Sequence, residues 1–372
     1  MNSKEQLRLA NCLVGDRFIL CLYNGIIKGY CQVFRTPLPF ATIHQYIMRI
    51  VSGIQPTNQL HIGNYLGAIK QWIELQDNNE CVFFIADLHA LTAPYDPENM
   101  QESITKTVIA YLAAGLNPEK SIIFVQSQVK EHAELCWLLN TVCPIGELQR
   151  MTQYKDKSKK FSENINAGLL DYPVLQAADV LIYKGEAVPV GKDQEQHVEL
   201  IRSLAKKFNQ KFGQTSKEPE LKILKEGSKI MSLTDPKKKM SKSDEPKSCI
   251  FLFDTPEVIT KKIMSATTDS GKDIKYNITK KPGISNLLTI YSLLTSKSTQ
   301  EIEKEFVKKS YADFKKSLSE VVVQYLEPFR RKQKELMTRE VYVQEILKQG
   351  QHRASTIAQE TMREVKEKMG LS

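Results

Sequence analysis

The fold class predicted by this 372-residue sequence is α/β: a doubly wound parallel sheet with helices on both faces, followed by a smaller all-helical domain. Three observations predict it. From Met48 to about Phe212, apolar runs of strand length alternate with segments of helical period, the pattern of a parallel sheet covered by helices. After Pro246 the alternation stops and only helical segments follow. Hydrophobic residues make up 41% of the chain, enough for a large core, yet no apolar run reaches the roughly 18 to 20 residues that span a bilayer. The run "RFILCLYNGIIKGYCQVF" is broken by Arg17, Asn24, Lys28 and two glycines, so a soluble protein with no membrane partner is expected.

Residues 1–47 read apart from the rest. They hold five Lys and Arg against two acidic residues, a single serine and no amphipathic period, which leaves a transit peptide and an upstream appendage both open. Met48 could itself be a start. The first convincing strand is Arg49 to Ile54, and "GNYLGAIKQWIELQ" follows as a helix with Leu66, Ile69, Trp72 and Ile73 on one face. "CVFFIAD" is the next strand, and "PENMQESITKTVIAYLAAG" a helix stopped by Gly115 and Asn117-Pro118. Then come a strand "SIIFVQ", a helix around "HAELCWLLNTV", a helix through "GLLDYPVLQAADVLIY", a short strand "AVPVG" and a long helix from Asp193 to about Phe212. This doubly wound domain is expected over 48–245 and ends in a basic loop. A helical domain is expected over 246–330, its first helix capped by Thr255 with Pro256 at the first position, and further helices over 331–372.

Seven cysteines, an odd count with no C-x-x-C spacing, suggest neither a zinc knuckle nor a disulfide framework and fit reduced thiols. The net charge of +9 is concentrated: residues 201–250 hold 13 Lys and Arg against 6 Asp and Glu. That surplus suits phosphate or nucleic acid, or a solvated lysine-rich face.

Four stretches carry chemistry. In "GIQPTNQLHIGNYLG" the first strand runs into a helix without either a dinucleotide or a P-loop fingerprint. Gly63 there would let a ring or phosphate approach bare backbone, with His61 and free N–H groups as donors; a capped turn with an incidental histidine is equally open. In "VPVGKDQEQHVE" Asp193 is either a helix cap or a carboxylate for ribose hydroxyls. In "DYPVLQAADVLIY" Asp179 sits in an apolar run, where a carboxylate needs partners from a ligand or from a neighbouring loop. "KKKMSKSDEP" sets Lys237, Lys238, Lys239 and Lys242 beside two serines, and an anion would relieve their repulsion.

Together these stretches resemble the class I aminoacyl-tRNA synthetases. "HIGN" stands for the family's His-Ile-Gly-His signature and "KMSKS" matches its second signature. "AADVLIY", "VPVGKDQEQHVE" and "KPGISNLL" narrow the resemblance, from Met48 to the C-terminus, to the bacterial and organellar tryptophanyl-tRNA synthetases. It implies a Rossmann-like nucleotide-binding domain in which Gln55, Pro56, Thr57, Gly63, Asn64, Gly191, Lys192, Asp193 and Ile230 contact ATP, with the loop Lys239, Met240, Ser241, Lys242 and Ser243. Asp179 would contact L-tryptophan, and His61, Lys239 and Lys242 would act on the reacting phosphates. The implied reaction joins tryptophan to AMP from ATP with Mg2+, releases pyrophosphate and passes tryptophan to tRNA(Trp). A helical domain that reads the anticodon, a homodimer, no protein-held metal and a cytoplasmic location follow from the same resemblance, or an organelle if residues 1–47 are a transit peptide. The chain departs from the family at Thr57-Asn58, where Ser-Gly is usual, at Lys192 for glutamate and at Gln176 for methionine.

The tryptophan carboxylate is already ionised at neutral pH, so activation needs positioning and charge stabilisation rather than a general base. Lys239 and Lys242 are point charges on flexible stems suited to pyrophosphate, with Ser241 and Ser243 as hydroxyl donors. Three other readings fit part of the sequence. A tyrosyl enzyme is the nearest. A His-x-Gly-His adenylyltransferase would be shorter and lack the helical domain. A non-enzymatic RNA-binding protein would explain the charge but neither Asp179 nor two nucleotide motifs.

Overall fold

The structure is a computed structural model that describes residues 10–13, 18–21, 47–56, 60–160, 165–191, 194–223, 229–241 and 245–371. The chain divides into two units, Met1–Tyr46 and Ile47–Ser372. In the first, β1 (Ala10–Leu13) and β2 (Phe18–Cys21) pair antiparallel, Ala10 opposite Cys21 and Leu13 opposite Phe18.

The second unit is built on five strands: β3 (Arg49–Ile54), β4 (Glu80–Ile85), β5 (Ser121–Val125), β6 (Ala187–Val190) and β7 (Glu220–Ile223). All neighbours are parallel, in the order β5-β4-β3-β6-β7. The chain starts at the central strand, builds outward to β5, then returns to the other side of β3. The reversal between β3 and β6 is a topological switch point, where the loops leaving two adjacent strands diverge and open a crevice. Side chains alternate between two cores as the pleat requires: Ile50, Cys81, Phe83 and Ile123 enter one, and Val51, Val82, Phe84 and Phe124 the other.

The first strand-to-helix crossover is α1 (Ile62–Asn64), a π-helical turn (Tyr65–Ile69) and α2 (Lys70–Leu75). Leu66, Ile69 and Trp72 are buried on it, the face the sequence predicts, with Ile73 partly buried against the same core. Next come α3 (Asp87–Ala90), α4 (Met100–Ala114), α5 (Glu131–Asn140), α6 (Ile145–Arg150), α7 (Thr152–Lys160), α8 (Ala167–Leu181) and α9 (Glu195–Phe212). The helical region is α10 (Pro256–Met264), α11 (Pro282–Thr295), α12 (Thr299–Glu305), α13 (Tyr311–Met337) and α14 (Glu340–Met369). Thr255 caps α10, its hydroxyl accepting from Val258 N–H. The 330/331 boundary expected from sequence falls inside α13, a continuous helix of 27 residues.

α14 leaves the helical region and wraps the β5 edge of the sheet. Val343, Ile346 and Leu347 enter one core, while Ala354, Ala358 and Met362 enter the other. Between them lies Gly350, where a Cβ would stand 1.8 Å from the carbonyl oxygen of Ile123, so only glycine lets the helix cross the strand this closely.

Candidate active site

A cleft of about 370 Å³ opens at the carboxyl ends of β3 and β6. Ser52 and Gly53 of β3, with Gln55 just beyond it, line one wall, and Val188 to Val190 of β6, with Gly191 just beyond it, line another. Tyr172, Gln176 and Asp179 reach in from one face of α8, at the three- and four-residue spacing of adjacent helical turns. Of the residues singled out in the sequence, the structure brings Gln55, Gln176, Gly191 and Asp179 together here, with Pro56 half-buried next to Gln55. Thr57, Lys192, Asp193, Lys242 and Ser243 lie outside the described residues.

Asp179 is 1% exposed and accepts hydrogen bonds from three side chains of its own chain. A carboxylate only accepts, so each neighbouring nitrogen donates: His89 Nε2 to Oδ2 at 2.7 Å, Gln126 Nε2 to Oδ1 at 2.6 Å and His132 Nδ1 to Oδ1 at 2.7 Å. Burial pushes the carboxyl up, but attraction to His89 and the hydrogen bonds from His132 and His89 outweigh it and hold the group at about 2. Higher in the cleft, the Tyr172 hydroxyl lies 2.9 Å from His197 Nε2 and donates to Gln153 Oε1 at 3.2 Å.

None of His89, Gln126, His132, Tyr172 or His197 was singled out from the sequence. One signal was present: the chain has only six histidines. His89 and His132 each lie within seven residues of the end of a strand, β4 and β5, the end at which such sheets bind ligands.

The two signature turns form a second cluster. His61 caps α1, its Nδ1 accepting from Asn64 N–H at 3.2 Å while Asn64 Oδ1 accepts from His61 N–H at 3.3 Å. This is the capped turn that the sequence left open, and it commits one ring nitrogen of His61 to structure. Ile62 N–H donates to Ile250 O, and Leu252 N–H to Leu60 O, so the turn is stitched to the segment beyond the basic loop. That loop stands on a hairpin base: Ser232 N–H donates to Lys238 O at 2.8 Å and Met240 N–H to Ile230 O at 3.0 Å. Asn286 of α11, in the "KPGISNLL" stretch, clamps the same base by accepting from Met231 N–H and donating to Met231 O. Ile230 and Met240 are buried, whereas Lys239 is exposed.

A cleft at the switch point of a parallel sheet, with a glycine turn and a lysine hairpin stitched together beside it, is the arrangement of a class I aminoacyl-tRNA synthetase. The chain belongs to this class: the model of the tRNA synthetases class I (W and Y) matches residues 45–327. It is 50% identical over 324 residues to the tryptophan–tRNA ligase of Caldanaerobacter subterraneus subsp. tengcongensis, covering 87% of this chain and 98% of that one. It is 48% identical to the tryptophan–tRNA ligase of Bacillus anthracis over the same shares. Among solved structures it is similar to the tryptophanyl-tRNA synthetase of Campylobacter jejuni complexed with ADP and tryptophan, with a TM-score of 0.77, 37% identity and coverage of 87% and 100%.

Proposed function

We propose that this chain is a tryptophan–tRNA ligase whose cleft holds tryptophan and whose two signature turns hold ATP. The observation that carries the reading is the buried, ionised Asp179 at the cleft wall. Tryptophan is distinguished from phenylalanine and tyrosine by an indole N–H that donates and cannot accept, and a carboxylate answers it. The ADP and tryptophan of the Campylobacter jejuni relative support the same pairing of ligands.

In the first step the tryptophan carboxylate oxygen attacks the α-phosphorus of ATP, and the bond to the β-phosphate bridging oxygen breaks as pyrophosphate leaves. The terminal ribose hydroxyl of tRNA then takes the tryptophanyl group and AMP departs. Gln55 and Gly191 border the cleft where the α-phosphate would lie, beside the turn of Gly63 and Asn64. Lys239, with Ser241 beside it, belongs to the hairpin that would close on the β- and γ-phosphates, and Lys242, Ser243, Lys192 and Asp193 are assigned by the same resemblance. Magnesium would arrive with the triphosphate as part of the substrate. Among the described residues no three His, Cys, Asp or Glu side chains converge to hold a metal of their own.

No helix among the described residues is long and apolar enough to cross a membrane. A cytoplasmic location and assembly as a homodimer are carried over from the family. Sedimentation at twice the 42.4 kDa chain mass tests the dimer.

The deciding experiment is amino-acid-dependent exchange of pyrophosphate into ATP. Exchange with tryptophan and not with tyrosine or phenylalanine is expected. Exchange with tyrosine would return the tyrosyl reading, and none with any amino acid would leave an RNA-binding protein.

A further inference from the structure

We propose that His132 and Tyr183 are positioning residues for tryptophan recognition, forming a relay, Tyr183 to His132 to Asp179, that aims the carboxylate without touching the substrate. The inference rests on the reading of Asp179 as the partner of the indole N–H.

Neither residue borders the cleft, and both are fully buried. A carboxylate offers about four acceptor sites, two on each oxygen. Gln126 and His132 fill both sites of Oδ1. Oδ2 receives a single donor among the described residues, from His89, which borders the cleft. One acceptor site therefore remains, on the oxygen beside the cleft.

The relay also fixes the tautomer. His132 must carry its proton on Nδ1 to donate to Asp179, which leaves Nε2 to accept, and the Tyr183 hydroxyl lies 2.7 Å from it. Burial pushes the Tyr183 hydroxyl up, so it stays protonated and donates. The opposite tautomer would turn a lone pair toward Asp179. Rings of Phe84, Phe124 and Tyr183 lie 5.6, 5.9 and 5.3 Å from the His132 ring and hold its plane. One feature speaks against a merely stabilising network. Gln126 Oε1 is buried with no partner among the described residues, a loss tolerated where the amide N–H is needed on Asp179.

The test compares pyrophosphate exchange with tryptophan and with its analogue bearing sulfur in place of the ring N–H. His132→Leu should cut the preference for tryptophan about tenfold and raise its KM, with the ATP KM unchanged, as expected for one lost hydrogen bond. His132→Asn, whose amide can occupy the Nδ1 position, should recover most of it. Tyr183→Phe removes one oxygen and should lower the preference in the same direction, while the nitrogen-15 signature of an Nδ1–H imidazole at His132 weakens. Should His132→Leu fail to fold, Tyr183→Phe and the nitrogen spectrum decide. An unchanged preference in the folded relay variants, with Asp179→Ala losing it, overturns the relay alone. An unchanged preference in Asp179→Ala as well overturns the reading of Asp179.

Discussion

Protonating Asp179 on Oδ2 would set an O–H against the donor from His89, and on Oδ1 against those from Gln126 and His132, so these partners hold its carboxyl at about 2 against an ordinary 3.8 despite full burial. A carboxyl lowered in the folded state adds stability that is complete above about pH 4 and is lost as the pH falls toward 2. Asp179→Asn should therefore flatten acid unfolding in that window, as followed by circular dichroism. Between pH 4 and 8 tryptophan use should show no acid limb from this group. Asp179→Ala should lower the preference for tryptophan over the sulfur analogue about 10- to 100-fold, the worth of a hydrogen bond to a charged acceptor. On the resemblance that assigns Lys242 to the leaving pyrophosphate, Lys242→Ala should slow adenylate formation about 10²- to 10³-fold in single turnover, with the tryptophan KM unchanged. Asp179 was legible because a carboxylate in an apolar run must have a reason. Its partners were not: they stand 90, 53 and 47 residues away, on α3, after β5 and on α5, and only the sheet brings them together.

Elements with a strong period could be read directly. β3 has the limits the sequence predicts, because an apolar run between turn residues allows one register. β7, "ELKI", was missed: it is a four-residue edge strand with two charged residues and no run to find. The π-helical turn after "HIGN" has no periodic signal either, since it adds one residue to a single turn. The C-terminal segment reads as an ordinary amphipathic helix, and nothing in its period says that it crosses from one core to the other. Gly350 is where that crossing is decided. Gly350→Ala would drive a methyl into the Ile123 carbonyl, which belongs to a strand and cannot step aside as a flexible side chain would. The helix must lift from β5, and the cost should be about 1 to 3 kcal/mol, as for other overpacked contacts. Urea unfolding should show a lower midpoint at unchanged slope.

Over the whole molecule, the catalytic apparatus and the first 46 residues are separate units, and every candidate site residue lies after Met48. A chain beginning at Met48 should keep its tryptophan-dependent exchange; a folded but inactive truncation would contradict this. The charge distribution leads to a prediction about the nucleic acid. The surplus of positive charge in residues 201–250 includes Lys237, Lys238 and Lys239, all exposed, at the hairpin between the sheet and the helical region. Lys238 shares its charge with Asp235 at 3.5 Å, but at 74% exposure that pair is too screened to neutralise it. Each lysine that meets a tRNA phosphate releases counterions on binding, so affinity falls as a power of the salt concentration. For three phosphate contacts, raising salt from about 50 to about 200 mM should weaken binding roughly 40-fold. Replacing Lys237 and Lys238 by glutamine should reduce the slope of log affinity against log salt by up to about 2, measured by fluorescence anisotropy. Exchange of pyrophosphate with tryptophan, which needs no tRNA, should not follow that slope. A salt dependence that is flat in both proteins would mean that the basic surplus serves the nucleotide alone and that tRNA docks elsewhere on the chain.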